Sequence, residues 1–312
     1  MAGKPHPFGT KGLREWPGGG SWYRGDGARF NPTKEQMAPK GKLVKWIFDG
    51  WLPKTPVISK TDLITTFGSC FATHVSDYLS KRGYNVSSRL KWRQTPFVIA
   101  YSAGLNNVAV IRQQFEWALE GRKFGEVLWH DKQVRPVVPD ERIRQRTAEL
   151  FNKTEVFILT LGLSEIWENQ QTGEVFWRAI PSSQFRPGVH GFRVLSVKET
   201  KTHLEKIISL IREHRGPGAR IIFTISPVPL RATFRPVSCM TASCVSKSIL
   251  RVAVDEVYRG REDPHIYYFP SFEVVQQMWG RAAYLPDNRH IKPRQVRTLM
   301  KIFERYYCEG GA

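Results

Sequence analysis

From residue 61 onward the apolar positions alternate between short continuous runs and longer stretches with helical period. The runs at 155–161 (EVFILTL) and 220–225 (RIIFTI) are bounded by polar residues or Gly, which predicts strands buried on both faces, as in a parallel sheet. Weaker runs at 62–67 (DLITTF), 84–87 and 266–269 (IYYF) predict three more short strands. Between them Leu204, Ile207, Ile208 and Ile211 form one apolar stripe, and Val296, Leu299, Met300, Phe303 and Tyr307 form another, each on a single helical face. Helices are also predicted at about 71–82, 105–120, 140–151 and 243–258. The segment 168–173, set between Ile166-Trp167 and Val175-Phe176-Trp177, predicts a hairpin.

Five strands alternating with helices specify an α/β fold: a three-layer α/β/α sandwich around a five-stranded, mainly parallel sheet with right-handed crossovers. A small β-hairpin insertion is expected at about 165–196. Residues 1–60 break the pattern, with many Gly and Pro and with Trp16, Trp22, Tyr23, Phe30, Trp46 and Trp51 at no regular spacing. So many large rings are unusual in a solvated linker, so an extended arm lying across a domain at 61–312 is expected.

Charge adds a constraint on partners. The 312 residues carry 47 Lys plus Arg against 28 Asp plus Glu, a formal charge of +19, of which +7 falls in the first sixty residues. A hydrophobic fraction of 41% excludes wholesale disorder. No run approaches the roughly 18 apolar residues of a membrane span, and the first thirty residues lack a secretory signal's apolar core, so a cytoplasmic protein is expected. Four cysteines with no Cys-x-x-Cys pair predict neither a disulfide framework nor structural zinc, and no cofactor or metal is expected.

In doubly wound sheets the chemistry sits beyond the carboxyl ends of the strands, which selects the loops to read. The first strand ends in Gly68-Ser69-Cys70-Phe71-Ala72, with Cys70 at a helix start, where free N–H groups favour a thiolate nucleophile and a nearby oxyanion. From spacing alone a second reading stands beside it: Ser69 is an ordinary N-cap and Cys70 a small buried hydrophobe. Asp287-Asn288-Arg289-His290 lets one loop set a carboxylate on a histidine ring, fixing its tautomer for work on a nucleophile. His74, one helical turn after Cys70, offers a rival dyad. The third strand ends in Gly162-Leu163-Ser164-Glu165: Gly162 permits close backbone approach, Ser164 can donate a hydrogen bond and Glu165 can brace the loop. After the fourth come Ser226-Pro227-Val228-Pro229, with Ser226 expected at the substrate, and then Arg231 and Arg235, either greeting an anionic substrate or lying on a solvated surface. A helix bearing Ser243, Ser246 and Lys247 follows.

Taken in order, Gly68 to Ala72, TLGLSEIW at 160–167, FRVLSV at 192–197, SPVPL at 226–230, SKSILR at 246–251 and Asp287 to His290 resemble the GSCFA family over about 60–305. That family is similar to the SGNH, or GDSL-like, hydrolases, which are flavodoxin-like sandwiches. The resemblance implies Cys70 as nucleophile, His290 as general base and Asp287 as its orienting carboxylate. There are two departures: a thiol replaces the serine, and Gly162 to Glu165 lacks the oxyanion-binding asparagine, leaving Ser164 as a substitute and Gln94, Gly104 and Asn106 as candidates by location. The activity implied is an acyl-ester hydrolase or acyltransferase working through a thioester, on an acylated small molecule or glycan of acidic character. The alternative is a non-catalytic module on the same fold that binds an anionic polymer, nucleic acid or glycan, through its basic arm. The absence of any nucleic-acid motif weighs against the nucleic-acid form of that alternative.

Overall fold

The computed structural model describes residues 31–37, 43–68, 70–90, 96, 106–131, 133–177 and 179–311. The chain divides into two compact units, Met1–Trp46 and Ile47–Ala312. In the first, Lys34–Met37 forms one helical turn, and the Trp46 indole donates to the carbonyl of Gln36 at 3.3 Å. Residues 1–30, half of the expected arm, lie outside the described residues. Residues 47–60 pack within the second unit. Ile58 is fully buried and bridges Cys308, and the Trp51 ring packs tilted against Tyr258 and edge-on against Tyr268.

The second unit is an α/β sandwich. Its strands and main helices, in chain order, are β1 (Ile64–Phe67), α1 (Cys70–Lys81), α2 (Val108–Glu120), α3 (Glu141–Lys153), β2 (Val156–Leu161), β3 (Glu165–Asn169), β4 (His190–Val194), α4 (Val197–Arg215), β5 (Arg220–Ile225), α5 (Cys239–Gly260), β6 (Ile266–Tyr268) and α6 (Pro293–Tyr307). Four strands form a parallel sheet in the order β1-β2-β5-β6, with Phe67 beside Leu159, Leu161 beside Ile225 and Phe223 beside Tyr268. Every residue of β1 and β2 is buried, because helices cover both faces. On one face α1 packs against α6; on the other α2, α3, α4 and α5 pack together. The rings of Phe67, Phe115, Phe151 and Phe157 join β1 and β2 to α2 and α3, while Phe269, Phe303 and Tyr307 anchor α6.

The helices start where their sequences cap them. Asn107 Oδ1 accepts from Val110 N at the head of α2, Asp140 does the same for Ile143 at α3, and Ser196 with Glu199 forms a capping box at α4. Among the described residues no helix is long and apolar enough to cross a membrane.

Two sequence expectations meet the structure at their edges. The strand expected at 84–87 is a single parallel bridge from Val86 to Ile64, because the chain turns at once into the 3-10 turn Ser87–Arg89. The hairpin expected around 168–173 closes with one bridge, Glu168 to Val175, flanked by Phe176 N to Trp167 O at 2.8 Å and Asn169 N to Glu174 O at 2.9 Å; the opposite edge of β3 pairs with β4 over five residues. On the outer side of 174–176 the Gln113 side chain of α2 accepts from Val175 N at 2.7 Å and donates to Val175 O at 2.8 Å.

Candidate functional site

The turn after β1 is built around the absence of a side chain. Gly68 has φ of +138°, and a Cβ there would lie 2.6 Å from the Thr160 carbonyl oxygen of β2, so only glycine lets the two strand ends approach. The chain then enters α1, whose Phe71, Ala72, Val75 and Leu79 are buried and fix the helix on the sheet. Cys70, its first residue, is exposed and so does not pack as a core thiol. Ser69 lies outside the described residues.

The loop before α6 is organised by one carboxylate. Asp287 Oδ1 accepts from the backbone N–H groups of Arg289 and His290, each at 3.0 Å, and Oδ2 takes the ring Nδ1 of His290. These three bonds, the His290 ring foremost, hold the Asp287 carboxyl down at about 2. With Asp287 ionised the ring proton sits on Nδ1, and Nε2 is left to accept one. The loop is closed by Leu285 N to His290 O at 2.8 Å and by Lys292 N to Ala283 O at 2.8 Å.

Helix packing brings these two loops to one end of the molecule. Glu304 of α6 accepts from Tyr78 of α1 at 2.8 Å and from Arg82, just past the end of α1, at 2.9 Å. Both helices run back from the carboxyl edge of the sheet. At about 1.5 Å per residue, Cys70 lies about 12 Å above Tyr78 and Pro293 about 16 Å above Glu304, so the two N-termini lie within about one helical turn of each other. His74, on α1, lies within electrostatic reach of His290: burial is the main cause that lowers the His74 pKa, Asp77 opposes the shift, and His290 adds to it.

The exit of β2 adds a third side. Gly162 N and Leu163 N donate to the carbonyl of Asn106 at 2.7 and 3.2 Å, so Asn106 sits against Gly162, where a Cβ would be 3.0 Å away. Gln94 and Gly104 lie outside the described residues. Ser164, expected as an oxyanion donor, is fully buried; its N–H and its hydroxyl both go to Ser246 Oγ, at 2.8 and 3.2 Å. That is a correction, and its reason is that α5 packs over this loop. Glu165 is buried and accepts from Thr233 at 2.9 Å; burial pushes its pKa up, against the pull of Thr233 and Arg235. It braces the segment that carries Arg235, which is half-buried, while Arg231 is exposed. Ser226, expected at the substrate, is buried and accepts from Val228 N at 3.3 Å, so it shapes the turn after β5 instead.

Lys247 is a residue that sequence reasoning named without giving it a role. It is buried on α5, its Nζ donates to Gly162 O at 2.5 Å, and burial pulls its pKa down to about 7. The available signal is its place on the stripe of Ser243, Leu250, Val254 and Val257, the buried side of α5, where a lysine is out of keeping. It lines a cavity of about 350 Å³ together with Pro227, Met240, Cys244, Tyr284 and Asn288. Among the described residues no group of three or more His, Cys, Asp or Glu side chains is arranged to hold a metal ion.

Set against known proteins, residues 63–303 match the family model described as the GSCFA family. No curated protein matches the chain.

Proposed function

The chain belongs to the GSCFA family, and from that premise we propose that it is an acyl-ester hydrolase or acyltransferase on a sandwich of the SGNH type, with Cys70 as nucleophile, His290 as base and Asp287 as the group that orients it. The observation that carries this reading is the Asp287–His290 pair, with Nδ1 held and Nε2 without a hydrogen bond among the described residues, at the same end of the paired helices as the exposed thiol of Cys70. The strand order supports it too. With Val86 bridged to the outer side of β1, the succession Val86, β1, β2, β5, β6 follows the flavodoxin-like order.

In the proposed reaction His290 Nε2 takes the thiol proton and the Cys70 sulfur attacks the acyl carbonyl carbon. The oxyanion faces backbone N–H groups at the start of α1, since the Ser164 hydroxyl is committed to Ser246. As the tetrahedral species collapses, the C–O bond breaks and the leaving alkoxide takes the proton from His290, leaving a thioester on Cys70. His290 then deprotonates water or an acceptor hydroxyl, whose oxygen attacks the thioester and releases the thiolate. Water gives an esterase and a sugar hydroxyl gives an acyltransferase. The net charge of +19 favours an acidic substrate, such as an acylated anionic glycan or lipid.

Intact-mass analysis after mixing the protein with activated acyl esters tests this. The expected result is one acyl adduct on Cys70, lost in Cys70→Ala, with turnover about 10²- to 10⁴-fold lower in His290→Ala. Full turnover by Cys70→Ala would falsify the mechanism. Absence of any adduct together with steeply salt-dependent binding to a polyanion would replace it with the binding-module reading.

A further inference from the structure

The cavity between α5, the turn after β5 and the segment at 272–288 has the chemistry of a receptor for an acyl group. Its walls are apolar where Pro227, Pro229, Met240 and Phe272 line it. Its lining includes two cations, Lys247 and Arg281, and no carboxylate. Lys247 is buried, and among the described residues its ammonium makes one hydrogen bond, to Gly162 O, and no ion pair. A buried cation without a counter-charge is costly, and an anionic ligand group relieves that cost with a charge-assisted hydrogen bond. Arg281, in contrast, is exposed. Asn288, also in the lining, stands next to Asp287 and two residues from His290, so the cavity borders the loop that presents the base.

The geometry points to this cavity as a pocket for an acyl chain that ends in a carboxylate, with the methylenes along the proline and aromatic walls and the carboxylate on Lys247. The inference rests on the acyl-transfer reading of Cys70 and His290 and names the substrate class for that site. A volume of about 350 Å³ accommodates a short dicarboxylic half-ester and is at the small end of ligand pockets.

The test uses Cys70→Ala full-length protein, which holds ligand without turnover, titrated calorimetrically with monomethyl succinate and with its uncharged analogue methyl butyrate. Monomethyl succinate is expected to bind about tenfold or more tightly than methyl butyrate, and Lys247→Met is expected to bring the two to parity. Location is read from Cys244, which is exposed and lines the cavity. Its alkylation by iodoacetamide in the same Cys70→Ala background should be slowed by monomethyl succinate, and Cys244→Trp should block binding of both esters even if Lys247→Met fails to fold. Equal affinity for the two esters, a preference that survives in folded Lys247→Met, or no protection of Cys244 would each overturn the pocket. None of these readouts needs a thioester, so failure of the pocket and failure of the Cys70 mechanism are separable.

Discussion

Single residues set the limits of this site through what they touch. At Gly68 a methyl group would meet the Thr160 carbonyl at 2.6 Å in a backbone conformation that L side chains rarely adopt. Gly68→Ala is therefore expected to lower stability by about 2–4 kcal/mol in urea denaturation and to change the rate at which Cys70 is alkylated, because the turn that presents the thiol must open. Lys247 acts through charge. Its folded pKa of about 7 lies below its ordinary 10.5, so between those values the unfolded chain holds a proton that the folded chain lacks. Stability from this group therefore rises with pH across that window, and below about pH 7 the fold bears the full cost of the buried charge. Lys247→Met should stabilise the protein more at pH 6 than at pH 10, with the two differing by a few kcal/mol (order of magnitude) in unfolding experiments. An equal effect at both pH values would mean that the amine is solvated.

Among the elements, the pairing of α1 with α6 decides whether Cys70 and His290 can meet. These helices are linked by Glu304, a buried carboxylate that accepts from Tyr78 and Arg82, and burial with this bond pushes the Tyr78 hydroxyl up to about 12. Glu304→Ala is expected to lose about 1–3 kcal/mol, since the hydroxyl of Tyr78 loses its acceptor. Its effect on the site is separable from its effect on stability: the pH profile of Cys70 alkylation should shift in Glu304→Ala and stay closer to wild type in Glu304→Gln, which keeps an acceptor in place. Unchanged profiles in both variants would mean that the helix pair does not align the two loops. The β3–β4 ribbon shows how a side chain finishes an edge. β3 is paired with β4 on one edge and with 174–176 on the other, and Gln113 takes both outward-facing backbone groups of Val175.

For the molecule as a whole, the boundary after Trp46 separates two compact units, and residues 47–60 supply core to the second. Phe48 and Ile58 are fully buried there, and Val57 and Ile58 donate to the Tyr307 carbonyl at 2.8 and 2.9 Å. Deleting residues 1–46 should leave the cooperative unfolding midpoint of the second unit close to that of the full chain. Deleting residues 1–60 should lower its stability by about 3 kcal/mol or more, the value of two large buried side chains. Equal midpoints for the two truncations would assign 47–60 to the first unit. The excess charge is shared along the chain, +7 before residue 61 and +12 after it, so the basic character is not confined to the first sixty residues.

The sequence by itself determined the α/β class, the strands at 156–161 and 220–225 and the helical stripes of α4 and α6, because burial on a parallel sheet leaves a local periodicity that neighbouring residues carry. It also determined which loops hold Cys70, Asp287 and His290, since chain order and short spacing are enough to set a carboxylate on a histidine. Tertiary structure alone decided which polar groups face inward. Ser164 and Ser226 read as site donors and are spent inside the fold. The edge strand at 84–87 shrinks to one bridge. Lys247 looks like any helical lysine until α5 closes over Gly162. Each of these outcomes depends on a partner dozens of residues away or on the direction a turn takes, and burial and hydrogen-bond choice belong to the packed whole, which no local pattern encodes.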